Sequence, residues 1–273
     1  RSATGTNMSE IQSSAVAAPA GTIPPEMMRA LRERFRASTL RTCAAFRTLG
    51  IQLAATPDAP EVVDAVRREL HRVHGTAGSY GFREASNLAA KLEERAIRWA
   101  TDAELDRDAR GAMMIEFAEV LSLAVGEPET TVAPAPVVEA TGPVAATPDV
   151  IVIEDDGPLQ EMILYALRSA GLTSRAFSDG PEALDALLAM PVPADGRRPL
   201  VLLDVDLPGI DGHSLHERLR VQRPGAFGFV FQTVHGGEAE QVRALTNGAL
   251  DYVVKPLNLR VLLAKIPMWI RRG

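Results

Sequence analysis

Five short apolar runs, each followed by a stretch of helical periodicity, fill the second half of this chain and constrain its fold more than any other feature. "VIVI" (150–153), "LVLLD" (200–204), "FGFVFQT" (227–233) and "LDYVV" (250–254), with the weaker "TSRAFS" (173–178), read as strands buried on both faces. Helical stretches alternate with them at 158–170, 181–190, 212–222, 237–247 and 258–271. Five βα units imply an α/β doubly wound, five-stranded parallel sheet with helices on both faces.

The first half has a different grammar. From Pro24 to about Val125 the pattern is helical throughout, beginning with "EMMRALRERF" after Pro24 and Pro25 and continuing with "LRTCAAFRTLGIQLAA". Pro60 to about Ser79, "REASNLAAKLEERAIRWA" and "DAELDRDARGAMMIEFAEVLSLAV" follow. No strand-like alternation interrupts them, so an all-α antiparallel bundle is expected. The expected divisions are 1–22, a cloning remnant ahead of Met8 followed by a disordered terminus; 23–125, the bundle; 126–148, a Pro/Ala-rich linker; and 149–272, the α/β unit.

The 273 residues are 46% hydrophobic and 23% charged, enough for two globular cores. A net charge of −6 without a basic stripe argues against nucleic-acid binding by this segment. The single cysteine, Cys43, excludes an internal disulfide and suits a reducing compartment, where it reads as a packed core thiol. No apolar run reaches the ~20 residues of a membrane span, and a cytoplasmic protein is expected.

Strand ends of a doubly wound sheet carry its ligand site. The first strand ends in Glu154-Asp155-Asp156, the third in Asp204, the fourth in Thr233 and the fifth in Lys255-Pro256. Converging carboxylates raise one another's pKa unless a cation joins them, and Mg²⁺ suits oxygen ligands. A hydroxyl and an ammonium at the rim suit a phosphoryl group. These motifs, "VIVIEDD", "LLDVDLPGIDG", "QT" and "GALDYVVKPL", resemble a response-regulator receiver domain of the flavodoxin-like class. The resemblance implies Asp204 as phosphoacceptor, and a Mg²⁺ site from Asp155, Asp204, Glu154 through a water and the Asp206 carbonyl. It further implies Thr233 and Lys255 as phosphoryl-oxygen partners, Thr233 and Tyr252 as switch residues, and a cis Lys255-Pro256 peptide. Val234 departs from the family in being larger than usual. With Asp206 and His235, which flank the path of an attacking water, it is a candidate for tuning phosphoryl lifetime. Asp204-Val205-Asp206 also resembles the DxD pair of haloacid-dehalogenase-type phosphatases, but the acidic pair then lies upstream rather than downstream.

In the bundle, "HRVHGTAGSYGF" places two glycines at the end of an amphipathic helix, each costing ~1 kcal/mol relative to alanine. His71, His74, Gly75 and Gly78 share one face, away from Val66, Leu70 and Val73. The histidines are therefore expected to project outward, with Gly75 clearing space beside His71 for another active site. His74 could donate a hydrogen bond to a phosphoryl group on His71. Histidines at i and i+3 can also chelate a metal, although no cysteine lies nearby and no third ligand is evident in the sequence. His71-Arg72-Val73-His74-Gly75-Thr76-Ala77 followed by Tyr80-Gly81 resembles the motif of histidine phosphotransfer (HPt) domains, four-helix bundles with a short extra N-terminal helix. That resemblance implies His71 as the phosphate carrier. His74 stands where the family usually has Lys, so its charge is expected to vary near neutral pH.

Together the two resemblances imply a two-component phosphorelay protein, partnered by a histidine kinase or by other receiver or phosphotransfer proteins. The resemblances imply a phosphotransfer protein with receiver self-phosphorylation and autodephosphorylation rather than a small-molecule enzyme. A flexible linker of this length spans roughly 25 to 30 Å, which permits exchange between His71 and Asp204 in one chain. No output domain follows the last receiver helix, so output through protein contacts and a longer parent protein both remain open. The competing reading is a non-transferring interaction module.

Overall fold

The computed structural model describes residues 22–126, 147–191, 193, 196–234 and 237–272. The N-terminal remnant and terminus, nearly all of the linker, and His235 lie outside the described residues.

The bundle comprises α1 (Pro25–Ala55), α2 (Pro60–Ala77), a single 3₁₀ turn (Gly78–Tyr80), α3 (Arg83–Trp99) and α4 (Arg110–Val125). Two sequence expectations are corrected here. The short extra N-terminal helix is absent among the described residues, because α1 runs unbroken through 31 residues. Its buried series, Leu31, Phe35, Thr39, Cys43, Phe46, Gly50 and Leu53, keeps a spacing of three or four. Thr39 and Gly50 occupy positions where an apolar residue would have made the continuity visible. Cys43 is the expected packed thiol.

The last bundle helix starts at Arg110, eight residues later than Asp102. The carbonyls of Asp102, Ala103 and Leu105 turn inward to accept from the Arg110 guanidinium, which also donates to the Pro57 carbonyl and to Asp58 Oδ1 at 3.1 Å. A fully buried guanidinium needs these acceptors, and carbonyls turned inward to meet it no longer point along a helix axis.

The second unit is β1 (Val150–Ile153), α5 (Gly157–Ser169), β2 (Ser174–Phe177), α6 (Gly180–Ala189), β3 (Leu200–Asp204), α7 (Gly212–Gln222), β4 (Gly228–Thr233), α8 (Glu238–Thr246), β5 (Asp251–Val254) and α9 (Leu259–Arg272). All strands are parallel in the order β2-β1-β3-β4-β5. β1, β3 and β4 are buried along their whole length, as their unbroken apolar runs required. Asp156, Asp179 and Asp211 cap α5, α6 and α7 by accepting from the third backbone N–H. Each cap points the helix start toward the strand ends where the acidic residues collect.

The two units pack against each other. One apolar cluster runs from the bundle interior, through Leu31, Leu70 and Tyr80, into Leu159, Met162, Leu257 and Ile266 of the α/β unit. A second cluster, around Ile151, Leu203, Leu215 and Phe231, fills the opposite face of the sheet. Arg34 on α1 makes a bidentate pair with Glu161 on α5. The Tyr80 hydroxyl donates to Asp156 Oδ1 at 2.6 Å, and burial together with that carboxylate holds the phenol well above its usual pKa.

Candidate functional site

The sheet brings Glu154, Asp155, Asp204, Thr233 and Lys255 together at its C-terminal edge, as the strand-end motifs required. Glu154, Asp155 and Asp204 each offer an oxygen, all within 4.8 Å of one another. An all-oxygen, triply acidic cluster fits a hard divalent cation such as Mg²⁺. Lys255, in the cis Lys255-Pro256 unit, places Nζ 2.7 Å from Asp204 Oδ2 and 3.0 and 2.9 Å from the two Glu154 oxygens.

Burial and then Asp204 push Glu154 well above the usual carboxylate range against the pull of Lys255. The same two causes, in the same order, push Asp155 up to about 6. Burial disfavours the Lys255 ammonium, yet the Asp204 and Glu154 carboxylates outweigh it and raise its pKa. Thr233 is buried at the end of β4, next to Gln232, which pairs with Asp204 across the β3–β4 ladder. Tyr252 is buried with its ring 6.3 Å from Phe231.

The bundle supplies the opposite wall. His71, expected to project outward, is only 7% exposed. It does leave the bundle core, but the α/β unit of the same chain covers it. His71 Nε2 lies 2.7 Å from Asp206 Oδ2, across the domain boundary, while Nδ1 lies 2.6 Å from Glu93 Oε1 on α3. Burial disfavours the imidazolium, but the Asp206 and Glu93 carboxylates outweigh it and push His71 up to about 9. His74 Nδ1 meets the other Glu93 oxygen at 2.8 Å, so its link to His71 runs through a shared carboxylate. A cleft of about 370 Å³ lies between the walls, lined by His71, Arg72 and Gly75 on one side and Asp155, Asp204 and Lys255 on the other.

Gly75 of α2 and Gly78 of the 3₁₀ turn now have a structural reason. A Cβ on Gly75 would stand 2.5 Å from Val234 Cγ2, and one on Gly78 would stand 3.0 Å from Cβ and Cγ of Pro256. Both are points of close approach by the α/β unit. His235, expected to flank a water path with Asp206, lies outside the described residues, and Asp206 itself faces His71.

Sequence reasoning missed Glu93. "KLEERA" reads as a solvated charged stretch, yet Glu93 is 1% exposed on the α3 face shared by Ala89, Leu92 and Ala96. A carboxylate at an apolar-face position, packed against the helix that carries two histidines, was the available signal. The Arg34–Glu161 and Tyr80–Asp156 contacts were missed too, because residues so far apart in sequence have no shared periodicity.

Residues 150–267 match the response regulator receiver domain family, and residues 26–122 match the Hpt domain family. The phosphate regulon transcriptional regulatory protein PhoB of Rhizobium meliloti is 36% identical over 129 residues, covering 46% of this chain and 53% of that protein. The transcriptional regulatory protein TcrA of Mycobacterium tuberculosis is 35% identical over 124 residues, covering 45% and 46%. The chain thus spans about half the length of the curated relatives it matches. Among solved structures, a Francisella response regulator 1452 receiver domain is 23% identical with a TM-score of 0.42, covering 46% of this chain and 98% of that one. No helix among the described residues is long and apolar enough to cross a membrane. Residues 26–122 and 150–267 thus join an Hpt domain to a response-regulator receiver domain, a two-component architecture.

Proposed function

We propose that this protein exchanges a phosphoryl group between His71 and Asp204 within one chain. The observation that carries this reading is the burial of His71 against the receiver site, with Nε2 2.7 Å from Asp206 Oδ2, two residues beyond Asp204. A loose encounter surface would leave the imidazole wet.

Asp155, Asp204 and Glu154 would hold Mg²⁺, with the Asp206 carbonyl as a further ligand. When bound, the ion neutralises charge on the phosphoryl oxygens. Thr233 and Lys255 are the protein's own partners for those oxygens, and Tyr252 and Thr233 the switch pair. Glu93 accepts the Nδ1 proton of His71, which fixes the tautomer whose Nε2 carries the lone pair. In the imidazolium, the Nε2 proton must leave first, and Asp206 Oδ2 is placed to take it. The Nε2 lone pair then forms the N–P bond as the P–O bond to Asp204 breaks. The Asp204 carboxylate is regenerated, and the reverse step restores the acyl phosphate.

A histidine kinase or another receiver or phosphotransfer protein would load or unload the pair. Acetyl phosphate with Mg²⁺ tests the reading on the full chain. The parent is expected to carry alkali-labile label on Asp204 and alkali-stable label on His71. His71→Gln should retain only the former, and Asp204→Asn should show neither. A parent in which label never reaches His71 contradicts the proposal.

A further inference from the structure

We infer that Val234 is a specificity-determining residue for this exchange, a knob matched in size to the notch at Gly75 that aligns the bundle on its own receiver. The inference rests on the in-chain exchange proposed above and extends it to a pair of residues with no part in the chemistry. Val234 follows Thr233 directly and is 8% exposed in the docked protein. Its Cγ2 occupies the space that a Cβ on Gly75 would need, at 2.5 Å, and the next nearest atom to that Cβ is Lys255 Cδ at 3.5 Å. The contact is therefore made by one methyl group against bare helix backbone, one turn after His71.

Neither side can yield easily. Val234 is β-branched, with few χ1 alternatives. Its backbone follows a strand whose register is set by the Leu203–Phe231 and Asp204–Gln232 pairs, so retreat would drag Thr233 away from Asp204. Gly75 lies within α2, whose backbone is held by its own hydrogen bonds and by Val73 and Ala77 in the core. A side chain at 75 thus displaces the whole receiver from His71. A receiver with a smaller residue in place of Val234 leaves the notch empty and the imidazole less well aligned. Alignment of this kind governs transfer rates strongly, because an ångström of misplacement costs about 10²-fold.

The test is a two-site size exchange in the full chain. Asp204 is labelled with acetyl phosphate and Mg²⁺, the donor is removed, and the first-order appearance of phosphohistidine is followed. Gly75→Ala is expected to slow transfer at least tenfold. Adding Val234→Ala to it should recover most of that loss, which a misfolded bundle could not do, since the second change lies in the other domain. Val234→Ala alone should slow transfer modestly. An unaltered rate in Gly75→Ala, or a double variant no faster than Gly75→Ala, overturns the size match while leaving in-chain exchange standing. A parent that never labels His71 removes both.

Discussion

Lys255→Met is expected to lower the unfolding free energy at neutral pH, without divalent cation, by about 3–5 kcal/mol. Labelling of Asp204 should fall about 100-fold. Lys255 is the sole ammonium in contact with the cluster among the described residues, reaching Asp204 and both Glu154 oxygens from a position that is itself buried. Methionine keeps the volume and removes the charge, so two buried carboxylates lose their counterion.

The sign with pH follows from burial. Glu154 already has a raised pKa in the folded protein, and losing Lys255 raises it further. A carboxyl raised on folding costs stability above its unfolded pKa of about 4.3. Lys255 also holds down Asp155, itself pushed up to about 6, so the gap between parent and variant should open as pH rises through about 6 and be smaller at pH 4 than at pH 7. Urea denaturation at both pH values measures it. A loss under ~1 kcal/mol at pH 7 would mean that the carboxylates are paired or hydrated in some other way.

Glu93→Ala is expected to slow transfer between Asp204 and His71 about 100-fold, with Glu93→Gln within about tenfold of the parent. Glu93 grips both histidines with its two oxygens and is almost wholly buried. Alanine leaves the His71 ring free to rotate and to place its proton on Nε2, where it blocks attack. Glutamine can still accept from His71 Nδ1–H through its carbonyl and donate to a neutral His74 through its amide. A single-turnover chase from labelled Asp204 reads both variants. Transfer by Glu93→Ala within threefold of the parent would show that the tautomer is set elsewhere. Glu93 also changes the meaning of His74: rather than an independent donor beside His71, it is the second imidazole on one carboxylate.

The receiver half was legible because each of its site residues sits at the end of a strand, and parallel strands buried on both faces leave unbroken apolar runs. Asp204 follows "LVLL", Thr233 follows "FVFQ" and Lys255 follows "DYVV", so sequence position alone placed them on one edge. The bundle was legible wherever apolar spacing continued and failed where polar residues did structural work. Thr39 hid the continuity of α1, and Arg110 turned three carbonyls away from the helix expected over 102–109. Glu93 was hidden by composition, since a glutamate beside another glutamate reads as solvated. The docking of the two domains left only an indirect trace. Gly75 and Gly78 signalled that something approaches closely, but not that Val234 and Pro256 of the same chain do so.

Transfer within one chain has a kinetic signature that no change of side chains can imitate. With Asp204 labelled and the donor removed, the first-order rate constant for phosphohistidine formation in the parent should stay constant over a 100-fold dilution. Mixing His71→Gln with Asp204→Asn chains should give far slower transfer at the same total concentration. A rate proportional to protein concentration, matched by full transfer between the two variants, would contradict the account.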